Sequence, residues 1–458
     1  MKVRNPRTGL YDYEISPYSF DVLKRKVASM RSAQPKWLSA GIDHRIHVLQ
    51  KWKNILEENR AELTEVLTLD TGRKLETIAE IDFVFKLIDS SCELARREFQ
   101  NHHFEYQIEA FVSVGVISTW HFPLVFALID TIPALLAGSS VIVKPSEKTP
   151  RFIKVIEKTL SQVAALAPVL HFVEGAEETG NSLCKLTDLI CFKGTELSAR
   201  KIYALAAENF IPAFVEYEGK GAGIVLEDAN LERASSAILW GGVFNAGQTF
   251  EGIERVFVHR NIHSQFLSRL VGKTNLLTLA IQNASHGAIG PIISEEHALI
   301  INEQLADAIE KGAVIVAGSS KCILQKGGLY CRPTILTNVS MDMKIMQEKN
   351  FGPILPVRSF LTENDAISFA NSVKTKYAGA VFSTNENSAL NLAKKLNCNG
   401  VAINDVLLSN VFNGRELAPN FMSTITDSRL GDISIRKFLK QKSILISQEN
   451  TKNDYWYK

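Results

Sequence analysis

From about residue 110 onward, short apolar runs alternate with helical segments, and this alternation restricts the fold more than any other sequence feature. In the first half, the apolar runs have the length and content of strands buried on both faces: 114–118, 140–143, 169–173 and 189–192. The helical segments between them span 124–136, 151–167, 177–185 and 197–208. Repeated strand–helix–strand units form parallel sheets, so the pattern predicts an open, doubly wound α/β sheet with ligand sites at the carboxyl ends of its strands.

A second alternating region covers about 223–405, whereas residues 18–98 show the three- and four-residue apolar spacing of amphipathic helices. The chain has 458 residues, which is enough for two or three domains. We therefore expect two α/β units of similar kind, preceded by a helical segment.

Charge and cysteine content exclude several classes of protein. The net charge of +2 is too small to favour nucleic acid or an acidic membrane as the main partner. The most apolar stretch, 122–143, contains Asp130 and two prolines, whereas a membrane span needs about 20 consecutive apolar residues. The six cysteines lack C-x-x-C spacing and are predicted to be reduced thiols: Cys92, Cys184, Cys191, Cys322, Cys331 and Cys398. The N-terminus has no apolar segment, so we predict a cytoplasmic protein. We also expect no metal site, no membrane span and no nucleic-acid partner.

Two glycine patterns have the spacing of phosphate-binding loops but lack other required features. The segment 175–182 has asparagine where a P-loop needs its lysine, and the segment 219–223 precedes a strand instead of opening a helix. Neither pattern predicts an independent nucleotide site. Gly175 and Gly180 are nevertheless kept among the candidate cofactor-binding residues.

Several motifs occur in a characteristic order along the chain. They are GVISTWHFP (115–123), PALLAG (133–138), KPSEKTP (144–150), FKGT (192–195), VEYEGK (215–220), NAGQTF (245–250) and EKNFGP (348–353). This series closely resembles the aldehyde dehydrogenase superfamily. The resemblance extends from Asn5 to the closing strand and weakens after about residue 405.

The resemblance implies an α/β fold with two doubly wound domains and a small β arm. The implied limits are 1–103 and 116–217 for an NAD(P)-binding-like domain, 218–427 for a catalytic-like domain, and 104–115 and 428–458 for the oligomerisation arm. An arm of this kind pairs subunits, so we expect a homodimer or homotetramer, or a hetero-oligomer with an active relative. The strand-like segment 443–447 is expected to extend a neighbouring sheet, because an exposed apolar edge strand otherwise promotes aggregation.

Members of this family oxidise aldehydes to acids with a nicotinamide cofactor. A cysteine thiolate attacks the aldehyde, and an asparagine side chain with a backbone N–H stabilises the resulting oxyanion. Hydride then passes to the nicotinamide, and a glutamate activates the water that hydrolyses the thioester.

The cofactor-binding half of the family pattern is largely retained. The matching positions are Trp120, Lys144, Ser146, Glu147, Gly194, Thr195 and Phe351. Lys144 and Glu147 match the lysine and glutamate that hold the adenosine ribose in the family. A carboxylate at this position favours NAD, because it would repel the 2′-phosphate of NADP.

The chemical half departs from the family pattern. Phe250 stands at the position of the nucleophilic cysteine, and His121 stands at the position of the oxyanion asparagine. Lys349 replaces the glutamate that holds the nicotinamide ribose, which reverses the charge there. Glu216 retains the position of the general base, but Glu218 replaces a glycine two residues later. On a strand the two carboxylates share a face, so like-charge repulsion is expected to raise one of their pKa values.

The losses are concentrated around the thiolate, the oxyanion and the nicotinamide, whereas the scaffold motifs persist. We therefore predict a catalytically dead or severely impaired member of the family, with weakened NAD binding and a structural or regulatory role. One alternative is an active NAD-dependent oxidoreductase that oxidises an aldehyde by an unconventional site. Hydrolysis by Glu216 and Glu218 is a further, less favoured alternative.

Overall fold

The computed structural model describes residues 1–100, 106–374, 378–398, 400–407 and 433–443. The helices are α1 (Phe20–Ser39), α2 (Ile42–Glu58), α3 (Arg60–Thr71), α4 (Leu75–Gln100), α5 (Pro123–Leu128), α6 (Thr131–Ala137), α7 (Phe152–Leu160), α8 (Glu177–Leu186), α9 (Glu196–Glu208), α10 (Leu231–Val243), α11 (His263–Asn275), α12 (Glu295–Glu310), α13 (Lys344–Gln347), α14 (Glu363–Asn371), α15 (Glu386–Ala393) and α16 (Ile433–Arg436). A 3₁₀ turn at Phe244–Gly247 follows α10.

The strands are β1 (Lys2–Arg4), β2 (Tyr11–Glu14), β3 (Tyr106–Ala110), β4 (Ser113–Ile117), β5 (Ser140–Lys144), β6 (Leu170–Phe172), β7 (Leu189–Gly194), β8 (Ala213–Tyr217), β9 (Gly221–Val225), β10 (Ile253–His259), β11 (Val314–Ala317), β12 (Ile323–Gln325), β13 (Gly328–Tyr330), β14 (Thr334–Thr337), β15 (Ile354–Phe360), β16 (Ala378–Phe382), β17 (Gly400–Ile403) and β18 (Leu439–Ser443).

Two sheets organise the molecule. The first has the order β6-β5-β4-β7-β8 and is parallel throughout. The second has the order β11-β14-β15-β10-β9-β16-β17, and only its β11–β14 pair is antiparallel. The prediction of a doubly wound α/β fold is confirmed.

The chain order reverses between β4 and β7 in the first sheet. From β4 the chain continues outward to β5 and β6, whereas β7 and β8 build the other half. Crevices form at such a switch point because the connections leave toward opposite sides of the sheet. The candidate site lies in this crevice.

The predicted helix over 124–136 is two helices in the structure, α5 and α6. Pro133 has no N–H to donate to the carbonyl of Ile129, and its ring would clash with that carbonyl in a continuous helix. Ile129 and Asp130 therefore separate the two elements. The segment remains buried as predicted.

Parts of the expected oligomerisation arm are described. β3 pairs with β18 in an antiparallel two-stranded sheet, which joins the two stretches assigned to the arm. Residues 113–115, the last part of the stretch 104–115 assigned to the arm, instead lie in β4, within the first sheet. Residues 444–447 of the predicted terminal strand lie outside the described residues. The limits of the three structural units remain a prediction.

In the described part of the chain, no helix is both long and apolar enough to cross a membrane. The same residues contain no group of three or more histidine, cysteine, aspartate or glutamate side chains placed to hold a metal ion.

Candidate active site

A cavity of about 480 Å³ lies where β4 and β7 end. The predicted cofactor-binding residues that line it are Trp120, Lys144, Ser146, Glu147, Gly180, Gly194, Thr195, Lys349 and Phe351. Gly175 is not among the lining residues. It has a φ of 154°, and a Cβ there would lie 1.9 Å from the hydroxyl oxygen of Thr179, so this glycine serves the turn before α8.

The Lys144–Glu147 pair lies just after β5. The ammonium of Lys144 is 3.2 Å from a carboxylate oxygen of Glu147, and it also donates to the carbonyl of Pro145. Burial raises the pKa of Glu147, but the Lys144 charge, the hydrogen bonds to the carboxylate and the Lys148 charge together outweigh this effect, and the net shift is downward. The carboxylate is therefore ionised at neutral pH, as the predicted discrimination against a 2′-phosphate requires.

Phe250 is 1% exposed and belongs to a cluster of aromatic rings. Its ring centroid lies 4.5 Å from that of His121, 5.5 Å from that of Phe351 and 6.3 Å from that of Phe126. The preceding turn is fixed by Asn245, which has a φ of 57° and donates from its amide to the carbonyls of Gln248 and His121. Asparagine tolerates this left-handed conformation better than most residues.

The ammonium of Lys193 lies at the centre of a group that we call the Lys193 cage. Its distances are 2.5 Å to a carboxylate oxygen of Glu216, 3.6 Å to one of Glu251, 3.9 Å to the ring centroid of Phe126 and 4.6 Å to that of Phe250. Two carboxylates and two aromatic faces therefore surround this buried ammonium group. The carboxylate of Glu216 is thus bound to an internal cation.

Sequence reasoning missed Lys193, although it lies in one of the quoted motifs. The residue is the last but one of the apolar strand β7, and the parallel register pairs it with Glu216 on β8. A lysine at the end of a fully buried strand was the available signal, because such a charge requires a partner.

His121 is fully buried at the end of the loop after β4. Burial lowers its pKa well below the usual value, and the charges of Lys193, Arg73 and Lys349 lower it further. Its Nδ1 is 3.3 Å from the hydroxyl of Thr119, and its Nε2 has no hydrogen-bond partner within the described residues. The neutral ring packs against Phe250 and Phe126.

Lys349 has its own partners inside the chain. Its ammonium is 2.6 Å from one carboxylate oxygen of Glu254 and donates to the carbonyl of Thr249 over 2.8 Å. The other Glu254 oxygen lies 2.8 Å from Lys220. Burial raises the pKa of Glu254, but the two ammonium groups dominate and the net shift is downward.

Glu218 follows β8 and lines the cavity. One carboxylate oxygen accepts a 3.2 Å hydrogen bond from the backbone N–H of Glu196, the first residue of α9. Burial raises the pKa of Glu218 to about 6; two backbone hydrogen bonds and Lys349 oppose this rise. Repulsion from Glu216, expected from the sequence, is not among the causes, because Glu216 is bound to Lys193 instead.

The cysteines do not supply a nucleophile to this cavity. Among the described residues that line it, none is a cysteine. Cys191, two residues before Lys193 on β7, is fully buried in the core of the first sheet.

The chain was compared with protein families, curated proteins and solved structures. Residues 1–440 match the model of the aldehyde dehydrogenase family. Lactaldehyde dehydrogenase of Escherichia coli strain K12 is 30% identical over 417 residues, covering 88% of this chain and 86% of the relative. Betaine aldehyde dehydrogenase of Bacillus subtilis strain 168 is 31% identical over 401 residues, covering 84% of this chain and 82% of the relative.

Solved structures agree with these matches. PutA from Anabaena variabilis, assigned as an aldehyde dehydrogenase, superposes with a TM-score of 0.95, 42% identity and full coverage of both chains. Betaine aldehyde dehydrogenase of Staphylococcus aureus in complex with NAD⁺ has a TM-score of 0.90 and 27% identity, covering 100% of this chain and 96% of that one. This chain belongs to the aldehyde dehydrogenase family.

Proposed function

We propose that this protein has lost NAD-dependent aldehyde oxidation and uses the family fold in a structural or regulatory role. Phe250 stands at the position of the catalytic cysteine, His121 at that of the oxyanion asparagine, and Lys349 at that of the ribose-binding glutamate. These assignments rest on the order of the motifs along the chain. The single observation that carries the proposal is the Lys193 cage. In it, the ring of Phe250 fills the position assigned to the nucleophile, and Lys193 binds the carboxylate assigned as the general base, Glu216.

The cage opposes general-base catalysis by Glu216. A base must reach a water molecule, yet Glu216 is 1% exposed and is not among the cavity-lining residues. Freeing its carboxylate means separating a buried ion pair, and breaking such pairs costs about 3–5 kcal/mol. At the position assigned to the catalytic cysteine, Phe250 places a ring that has no nucleophilic atom.

The residues present fit NAD only in part. Lys144, Ser146 and Glu147 suit the adenosine ribose, and all three line the cavity. Lys349 is engaged by Glu254, so this position offers no carboxylate to the second ribose. We infer that NAD binding is weakened, and we assign no chemical step to the cofactor in this chain.

The test is a hydride-transfer assay with purified protein, a panel of aldehydes and both nicotinamide cofactors. Active enzymes usually turn over at about 1–1,000 s⁻¹, and we expect no rate above the protein-free control. A rate near 1 s⁻¹ with any aldehyde would overturn the proposal.

Active oxidation remains the alternative, and the names of the relatives favour it because they are dehydrogenases. That alternative requires a nucleophile in the cavity. Hydrolysis by Glu216 and Glu218 is less favoured, because Lys193 binds one carboxylate and the start of α9 binds the other.

The structural role includes self-assembly, or assembly with an active relative, in a cytoplasmic setting without nucleic-acid or membrane partners. The two-stranded β3–β18 sheet supports this part of the proposal, because unpaired strand edges are templates for pairing with another chain.

We therefore expect a dimer or tetramer in light scattering at micromolar concentration. The matched control deletes residues 439–458, which removes β18 together with the C-terminal residues after it, and this variant is expected to have a smaller particle mass. A strictly monomeric full-length chain would contradict this expectation.

A further inference from the structure

The geometry points to Glu218 as an internal competitor of ligand phosphates at the start of α9, so that at neutral pH the cavity prefers an adenine nucleoside to a ligand that carries a diphosphate, such as ADP-ribose or NAD. This inference deepens the proposed function and rests on it for the adenosine assignment. It concerns binding alone and does not depend on turnover.

The first observation is the position of the Glu218 carboxylate at the start of a long helix. α9 has 13 residues, and Gly194, Thr195 and Ser198 at its start line the cavity. Helix N-termini attract anions through their free N–H groups and the helix dipole. Here the Glu196 N–H already donates to Glu218, so the chain's own carboxylate occupies the place that suits a phosphate.

A second observation comes from the neighbouring strand. Ser118 follows β4, lines the same cavity and is 6% exposed. Its hydroxyl has no hydrogen-bond partner among the described residues. A buried polar group without a partner is costly, and a ligand that accepts its hydrogen bond would remove that cost. Ser118 and the start of α9 lie beyond adjacent strands, because β4 pairs directly with β7.

The charges of the cavity wall explain why its described residues do not offer a free cation to a ligand phosphate. Each lining lysine is within 3.2 Å of a carboxylate oxygen: Lys144 with Glu147, Lys148 with Glu296, Lys193 with Glu216, Lys201 with Glu177, and Lys349 with Glu254. These cations are therefore already paired with carboxylates, and the charge of Lys349 also acts on Glu218. A diphosphate would compete with the Glu218 carboxylate for Lys349 and for the Glu196 N–H, whereas an uncharged nucleoside would not.

The pH dependence follows from the environment of Glu218. Glu196 on α9 and Lys349 after α13 are the charged groups that shift its pKa, and Lys193 from β7 and His297 from α12 line the same cavity. Burial is the main cause that lowers the pKa of His297 to about 4, and the charge of Lys148 adds to it. His297 therefore stays neutral above pH 5. Glu218, with a pKa of about 6, is ionised at pH 8 and mostly protonated at pH 5. Diphosphate affinity should therefore rise as the pH falls.

The experiment is calorimetric titration of the full chain with NAD, ADP-ribose and adenosine at pH 8 and pH 5. Glu218→Gln keeps the side-chain shape and removes the charge, and Glu218→Gly removes the side chain. The double variant Glu177→Gln/Lys201→Gln is the matched control, because it removes an exposed ion pair of the cavity wall without changing the net charge of that wall.

At pH 8 we expect Glu218→Gln to raise the affinity for NAD and ADP-ribose about tenfold and to change that for adenosine less than about twofold. Wild-type affinity for ADP-ribose should rise about tenfold from pH 8 to pH 5, and that of Glu218→Gln should stay constant.

Three results would overturn the inference. They are a gain in adenosine affinity as large as the gain in ADP-ribose affinity in both Glu218 variants, an equal gain in ADP-ribose affinity from Glu177→Gln/Lys201→Gln, and no binding of any probe at millimolar concentration. Aldehyde oxidation by the wild type would overturn the proposed function but leave this binding result interpretable.

Discussion

Replacing Lys193 with methionine is expected to lower the free energy of unfolding by about 3–5 kcal/mol, because the change leaves a buried carboxylate without its cation. Lys193 is 2% exposed and lies between Glu216 and Glu251, so water cannot take over its role. Methionine keeps most of the length of the side chain and its unbranched, flexible shape, but removes the charged ammonium group. The loss is therefore electrostatic, and urea unfolding at pH 7 measures it.

The control for this prediction is the double variant Lys193→Met/Glu216→Leu. Removing both members of the pair takes away the uncompensated charge of Glu216, so the double variant should be more stable than Lys193→Met alone. Arg200→Met provides a surface control, since Arg200 pairs with Glu196 on an exposed helix face. A Lys193→Met protein that unfolds within about 1 kcal/mol of the wild type would show that the cage does not hold a charged pair.

The second large effect concerns a thiol introduced at position 250. Phe250→Cys alone is expected to react with thiol reagents but to oxidise aldehydes at a barely measurable rate. Glu216 would remain bound to Lys193, and the oxyanion would meet the neutral ring of His121 instead of an amide. Removing one oxyanion donor in known sites lowers kcat by about 100- to 1,000-fold.

A triple variant with Phe250→Cys, His121→Asn and Lys193→Gln should exceed the single variant by about 100-fold in kcat/KM, which is the lower end of the gain expected from one oxyanion donor. Lys349→Glu is left out, because its carboxylate would face Glu254, which now lies 2.6 Å from the Lys349 ammonium. The matched control combines Phe250→Cys and Lys193→Gln with His121→Gln. Equal rates for the single and triple variants would show that His121 and Lys193 do not limit the chemistry.

The sequence was sufficient to predict the architecture because the strands of this protein are short, apolar and regularly separated by helices. It did not predict the break between α5 and α6, since the apolar periodicity continues through Ile129 and only the local geometry of Pro133 interrupts it. Trp120, Lys144 and Thr195, which were predicted to bind the cofactor, line one cavity because they lie at or just after the carboxyl ends of neighbouring parallel strands.

The partners of the altered residues could not be derived from the sequence. Lys349 and Glu254 are 95 positions apart, and their contact depends on how the segment between α13 and β15 meets the start of β10. Lys193 and Glu216 meet through the register of β7 and β8, which a single sequence does not specify. The proximity of Glu216 and Glu218 in sequence suggested mutual repulsion, whereas tertiary contacts give each carboxylate a separate partner.

The most direct test of the central claim is transfer of deuterium from a C1-deuterated aldehyde to NAD⁺, measured by mass spectrometry of the cofactor at stoichiometric protein concentration. This measurement detects a single hydride transfer per chain, and an active family member provides the positive control. If the Lys193 cage and Phe250 have abolished the reaction, the deuterated reduced cofactor will not exceed the protein-free control after several hours. One equivalent of deuterated cofactor per chain, formed by the wild type with any aldehyde, would contradict the account.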